Sequence, residues 1–211
     1  MDRSLLLVRH GQSTWNGEGR WQGQADPPLS ELGEAQAAEA ASRLADADVD
    51  IGAVASSDLE RARRTAEIVA ASLALGPVIV EPRLKEYDVG RWQGLTKPQI
   101  EEGWPGMIAA WAGGELPSTP GGEPRVAFAE RVVAGLRRLA VVEAPAGRPA
   151  AMLVITHSGV VRTLERVLGV EHVPIGNLSG RWCLVDDGGG LSLGDGVVLL
   201  DPDRQTTSPS R

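Results

Sequence analysis

Two of the chain's three histidines stand directly behind apolar runs. His10 follows Leu5-Leu6-Leu7-Val8-Arg9, and His157 follows Ala150–Thr156. Each is followed by small residues, Gly11 in one case and Ser158-Gly159 in the other. One such histidine is commonplace. Two in equivalent settings, in a chain with three, favour a shared site, and a neutral imidazole is a competent nucleophile for group transfer. Arg9 abuts His10, and Arg61 lies early in a helix predicted to follow a second strand. An arginine ending a buried strand needs an anion or a carboxylate. An ion pair within the chain would satisfy Arg9, and so would a phosphate, whose oxygens match the guanidinium fork. Arg61, near a helix N-terminus, would add charge where backbone amides already favour an anion. Arg63 and Arg64 point to other faces of that helix, toward solvent, and His172 reads as a surface residue in a polar loop.

The elements that must position these residues alternate along the chain. Leu5–Val8 reads as a buried parallel strand, since it is apolar without a break. Ser30 is an N-cap for a helix to about Asp46. Ile51–Ala55 is a second strand, and Ser57 or Asp58 would cap a helix running to about Leu75. Val78–Val80 is a short third strand. Residues 83–125 are broken by glycine and proline clusters, with short helices between them. Arg125–Val142 is a helix, with Pro124 suited to its first position. Ala150–Thr156 is a strand and Val160–Leu168 a helix. Arg181–Asp186 and Val197–Asp201 read as closing strands around Gly188-Gly189-Gly190. This alternation predicts an α/β fold, a three-layer α/β/α sandwich with a largely parallel central sheet. Its sites belong at the carboxyl ends of strands. Residues 1–201 are expected to form one catalytic domain, with 202–211 a polar, disordered tail.

Composition narrows the classes. The chain has 211 residues, 42% of them hydrophobic, and a net charge of −7. Acidity argues against nucleic acid as a partner, although a local arginine cluster can still hold a phosphate. No run approaches the roughly 20 apolar residues of a membrane span. Leu5–Val8 is too short for a signal peptide, so a cytoplasmic location is expected. Cys183 is the lone cysteine. It excludes an internal disulfide and reads as a half-buried strand residue. No metal site is expected, because paired carboxylates at a strand end, His-x-His and clustered Cys/His ligands are all missing. No phosphate-binding loop ending Gly-Lys-Ser/Thr occurs, so neither ATP nor another cofactor is implied.

Four sequence blocks together resemble the histidine phosphatase superfamily, the phosphoglycerate-mutase-like proteins. They are Val8-Arg9-His10-Gly11-Gln12-Ser13 with Asn16, Ser57-Asp58-Leu59-Glu60-Arg61-Ala62 with Thr65-Ala66, Leu84–Gly94, and Val154-Ile155-Thr156-His157-Ser158-Gly159. One Arg-His-Gly triplet would be weak; four blocks in order over roughly residues 4–170 are not. The resemblance implies that His10 is the nucleophile and becomes phosphorylated. It implies that Arg9, Arg61 and His157 bind the phosphoryl oxygens, and that Glu86 is proton donor and then base, with Asp88 the second choice. Asn16, Gln22 and Gly23 match positions lining the phosphate and substrate mouth. Ser158 stands where glycine is common and can still offer a backbone amide. Gln12 replaces a frequent glutamate. Pro124 replaces a frequent serine, which leaves the role of Glu123 open.

Within that superfamily the chain resembles the phosphatases: ribazole phosphatases, glucosyl-phosphoglycerate phosphatases and broad-specificity acid phosphatases. The alternative is a 2,3-bisphosphoglycerate-dependent phosphoglycerate mutase, whose branch carries extra arginines after the Glu86 block. Here Leu95–Glu123 holds no arginine and one lysine, Lys97, with Trp104, Met107, Ile108 and Trp111 instead. The Trp104–Trp111 segment and the helix at 126–142 are expected to form a lid over a pocket for a less charged leaving group. The expected partner is a small phosphorylated metabolite, with a homodimer left open. A non-catalytic phosphate sensor is the third possibility, disfavoured by the intact set Arg9, His10, Arg61, Glu86 and His157.

Overall fold

The computed structural model describes residues 2–47, 49–142 and 150–201. The tail expectation at 202–211 lies outside them. A six-stranded sheet organises the described residues, in the order β3-β2-β4-β1-β5-β6. The strands are β1 (Arg3–Arg9), β2 (Ile51–Ser56), β3 (Ile79–Val80), β4 (Ala151–Thr156), β5 (Ser179–Val185) and β6 (Leu191–Val198). The first four pair in parallel, while β5 and β6 add an antiparallel edge beside β1.

The central strands read as unbroken apolar runs because both of their faces are covered. Leu5 and Leu7 of β1 and Met152 and Val154 of β4 point into one core. It is covered by α6 (Arg125–Ala140), through Phe128, Val132 and Leu136, and by α7 (Ser158–Leu168), through Val160, Val161 and Leu164. Leu6, Val8, Leu153 and Ile155 point into the other, beneath α2 (Glu31–Asp46) and α3 (Glu60–Ser72). The three layers are therefore as predicted. The helix after β1 lies on one face and the helix after the adjacent β4 on the other. A crevice opens where neighbouring connections diverge in this way, and His10 and His157 stand at its lip.

Several boundaries differ from expectation, each for a local reason. The Ser30 hydroxyl accepts from the Gly33 amide and caps α2 as predicted. Neither Ser57 nor Asp58 caps α3, whose N-cap is Leu59 with no side-chain bond. Pro124 is the extended N-cap residue of α6 rather than its first helical residue. The last strand begins at Leu191, straight after the glycine turn, instead of at Val197. Cys183 is buried at 1% exposure, not half-buried, and burial pushes its thiol up to about 12.

The segment after the Glu86 block folds as two short helices, α4 (Lys97–Gly103) and α5 (Met107–Ala112), which follow α1 (Thr14–Gly17), α2 and α3 in chain order. Ile100 and Ile108 are buried in the core under α6. The helix expected to be a lid is thus a structural layer of the sandwich. Among the described residues, no helix is long and apolar enough to cross a membrane.

Candidate active site

Register brings the two histidines together. β1 and β4 pair Arg9 with Thr156, and the His10 amide donates to the Thr156 carbonyl at 3.0 Å. The next residue on each strand therefore projects from the same sheet edge, with ring centroids 5.2 Å apart and an interplanar angle of 62°. Both side chains are buried, His157 completely.

The state of His10 follows from its partners. Its Nδ1 lies 2.6 Å from the Gly11 carbonyl, which can only accept, so Nδ1 carries the proton. In the neutral ring that leaves the lone pair on Nε2. Nε of Arg61 donates to this Nε2 at 3.2 Å. The Arg61 guanidinium is itself fixed, donating from Nη1 to the Ala25 carbonyl at 2.8 Å and from Nη2 to the Gly23 carbonyl at 2.9 Å. Gly23 presents that carbonyl from a left-handed turn at φ +52°, where a Cβ would strike Val89. Arg9, 3% exposed, donates to the Ile175 carbonyl at 3.1 Å. The carbonyl of His10 accepts from Nδ2 of Asn177 at 2.9 Å.

His157 Nε2 lies 2.7 Å from the Ser57 hydroxyl. Burial first, then the charge of Arg61, then His10 and Arg9, hold this imidazole well below the usual histidine range. It is a neutral ring surrounded by cations, poised to donate a hydrogen bond to an anion rather than to compete for a proton.

Glu86 approaches from the loop before α4. One carboxylate oxygen accepts from the Tyr87 amide at 2.8 Å and the other from the Gly159 amide at 3.3 Å. A Cβ on Gly159 would lie 2.0 Å from Glu86 Oε1, so any side chain here would shift the carboxylate from this position. Asp88, the second choice for this role, turns back to its own loop, accepting from the Gly90 amide at 2.8 Å.

The remaining predicted residues support the mouth. Asn16 and Ser13 form a reciprocal cap at the start of α1. Gln22, 2% exposed, accepts from the Ser13 hydroxyl at 2.8 Å. Ser158, also buried, opens α7 beside His157.

Sequence reasoning missed three supporting residues. Ser57 is the partner of His157 rather than a helix cap. Asn177 has no local motif. Arg131 of α6 is the third. It donates to the carbonyls of Arg83 and Lys85, each at 2.7 Å, and of Glu86 at 2.9 Å, and pairs with Glu123 at 2.6 Å. Glu123 in turn accepts from the Asp88 amide at 2.7 Å. This resolves the open role of Glu123: with Arg131 it clamps the loop that carries Glu86.

A family model for the histidine phosphatase superfamily (branch 1) matches residues 5–180. The chain belongs to that superfamily. This histidine phosphatase is 35% identical over 198 residues to the glucosyl-3-phosphoglycerate phosphatase of Mycobacterium tuberculosis, covering 85% of this chain and 86% of that protein. It is 37% identical over 162 residues to the metal-independent phosphoserine phosphatase of Arabidopsis thaliana, covering 76% and 66%. It is also 40% identical over 187 residues to "Probable phosphoglycerate mutase GpmB" of Cronobacter sakazakii, covering 86% and 82%. The mycobacterial glucosyl-3-phosphoglycerate phosphatase solved in complex with VO3 superposes with a TM-score of 0.73 at 32% identity, covering 91% of this chain and 96% of that one. Taken together, the kinship marks the chain as a phosphatase more than a mutase.

On the far side of Glu86 this histidine phosphatase has a cavity of about 440 Å³. Glu86 and Gly159 line it, with Tyr87, Trp111 and Phe128 as an aromatic wall. Trp111 stacks at 5.5 Å from Tyr87 and 5.8 Å from Trp21, so it is both wall and core. Trp104 packs against the core and is not part of the lining. The pocket expected for a less charged leaving group is not itself free of charge. Leu95–Glu123 adds no arginine, but Arg125, Arg162 and Arg166 enter the lining from α6 and α7.

Proposed function

We propose that the chain hydrolyses small phosphomonoesters in two steps through Nε2 of His10. The observation that carries this is the fixed tautomer of His10, with Nδ1–H tied to the Gly11 carbonyl and Nε2 facing Arg61. The phosphoryl group sits among Arg9, Arg61 and His157, which together neutralise charge spread over its oxygens. Nε2 attacks phosphorus as the bond to the ester oxygen breaks, and Glu86 delivers the proton that the departing alcohol needs. Glu86 then takes a proton from water, which attacks the phosphohistidine, releasing inorganic phosphate and restoring His10. Glu86 suits both steps because it touches the catalytic helix start on one side and lines the leaving-group cavity on the other.

A mutase must hold a phosphorylated product for return transfer. The helices at 97–112 bring no arginine of their own, and the similarity to phosphatases supports water as the acceptor. The test is release of inorganic phosphate from phenyl phosphate, set against interconversion of 2- and 3-phosphoglycerate. Interconversion faster than hydrolysis would overturn the phosphatase reading.

A further inference from the structure

The loop that joins α7 to β5, residues 169–178, backs the site. Three of its groups hold the end of β1. The Ile175 carbonyl accepts from Nη1 of Arg9 at 3.1 Å, Nδ2 of Asn177 donates to the His10 carbonyl at 2.9 Å, and the Leu178 amide donates to the Arg9 carbonyl at 3.0 Å. Leu178 does this from φ +50°, the left-handed region that a bulky residue rarely takes, and it is wholly buried. Backbone of that kind persists only where its surroundings over-determine it.

What fixes the loop lies outside the site. α7 ends at Leu168, and Gly169 turns the chain away at φ +65°. In that last turn Glu165 is fully buried. A buried carboxylate is costly unless it is paired and hydrogen-bonded. This one accepts from Nδ1 of His172 at 2.6 Å, from the Val173 amide at 3.3 Å and from Nη1 of Arg181 at 3.0 Å. Arg181 also donates to the carbonyls of Glu171 and Gly194, each at 2.9 Å. His172 is therefore a tether and not merely a surface residue. One carboxylate, with Arg181, ties residues 171–173 to a helix and to the antiparallel edge of the sheet. Only Pro174 separates Val173 from Ile175. Its ring fixes its own φ and restricts the residue before it, so a shift at Val173 passes to the Ile175 carbonyl with little damping.

Resting on the phosphatase reading, we infer that Glu165 is a positioning residue for the reaction: through Val173, Pro174 and Ile175 it sets where the Arg9 guanidinium stands. Without the carboxylate the Ile175 carbonyl moves, and Arg9 meets the phosphoryl oxygens away from the fork geometry that suits them. Glu86 is held by the Arg131–Glu123 clamp on a different loop, so its proton transfer is left as it was.

The test is made on the full chain. Glu165→Gln removes the charge at nearly constant volume. Calorimetry with inorganic phosphate should show binding weakened by roughly tenfold. In hydrolysis kcat/KM should fall by roughly 10- to 100-fold, by the same factor for alkyl and 4-nitrophenyl phosphates, because the leaving-group proton is not involved. The decisive comparison is with Arg9→Gln. If Glu165 acts through Arg9, the factor lost to Glu165→Gln should shrink to about twofold or less in the Arg9→Gln background. Factors that multiply in the double variant overturn the inference. So does an unchanged phosphate affinity in Glu165→Gln, the result that a role in stability alone would give, with only the melting temperature lowered. Should Glu165→Gln fail to fold, His172→Ala removes one tether at a side chain 58% exposed. It should weaken phosphate binding by a smaller factor, with thermal melting as the check on folding, and unaltered affinity there overturns the inference. Wild type that binds phosphate but releases none from phenyl phosphate overturns the phosphatase reading, while the binding comparison still decides the role of Glu165.

Discussion

Arg61 donates from Nε to Nε2 of His10 at 3.2 Å, while two backbone carbonyls hold its other nitrogens. A cation that donates to the nucleophilic nitrogen both marks which nitrogen has the lone pair and disfavours a proton there. The same guanidinium can turn its charge to a phosphoryl group arriving between the two residues.

His10 should therefore carry phosphate during turnover. With labelled substrate and a quench that avoids acid, label should map to the peptide containing His10. His10→Ala should lose essentially all turnover while retaining part of its phosphate affinity, because Arg9 and Arg61 remain. Substantial hydrolysis by His10→Ala would mean that water attacks directly.

Glu86→Gln should discriminate between leaving groups. General acid catalysis contributes about 10²–10⁴-fold, and an alcohol of high pKa needs it where a nitrophenolate does not. Alkyl phosphates should lose activity toward the upper end of that range, 4-nitrophenyl phosphate far less. Equal losses would remove Glu86 from the acid role.

Gly159→Ala places a methyl group against the Glu86 carboxylate, 2.0 Å from Oε1 before any relaxation. Either the carboxylate or the first turn of α7 must move, and a displacement of about 1 Å can cost roughly 10²-fold in rate. Because Glu86 is the group displaced, the loss should be larger for alkyl than for nitrophenyl esters. A uniform loss across leaving groups would point to general damage instead.

Stability should carry the signature of His157. Its folded pKa is depressed, so the unfolded chain, with histidine near 6.5, binds the extra proton. The contribution is complete above about pH 6.5 and is lost as pH falls below it, at up to about 1.4 kcal/mol per unit. Chemical denaturation between pH 7 and 5 should show a steeper decline for wild type than for His157→Gln, in which the titrating ring is gone. Parallel slopes would show that His157 does not govern the acid limb.

Turnover should survive EDTA. No group of three or more His, Cys, Asp or Glu side chains among the described residues is arranged to hold a metal ion. Activity lost to chelation and restored by a divalent cation would contradict this.

The histidine pair was legible because β1 and β4 are buried on both faces, so each apolar run stops where the sheet meets the site. The parallel core and α2 were legible for the same reason, helped by a serine whose hydroxyl does cap the helix. β6 was not. It is an edge strand, Leu-Ser-Leu-Gly-Asp-Gly-Val-Val, largely open to solvent, and its only continuous apolar run, Val197–Leu200, starts at its last two residues. The Arg131–Glu123 clamp was hidden because both residues serve backbone carbonyls and amides of a distant loop, and such groups leave no trace in side-chain pattern. The cavity arginines, Arg162 and Arg166 of α7 and Arg125 of α6, left no signal, because the sequence does not say which layer those helix faces meet.

The hydrogen bond from His10 to Thr156 joins the beginning of the chain to its fourth strand. While β4 has not yet emerged from the ribosome, a nascent polypeptide can pack β1 against nothing that completes the site. Catalysis in this enzyme is consequently an all-or-none report on a high-contact-order assembly step. Recovery of hydrolysis during refolding should trail the appearance of helical signal from α2 and α3, whose contacts close much earlier in sequence.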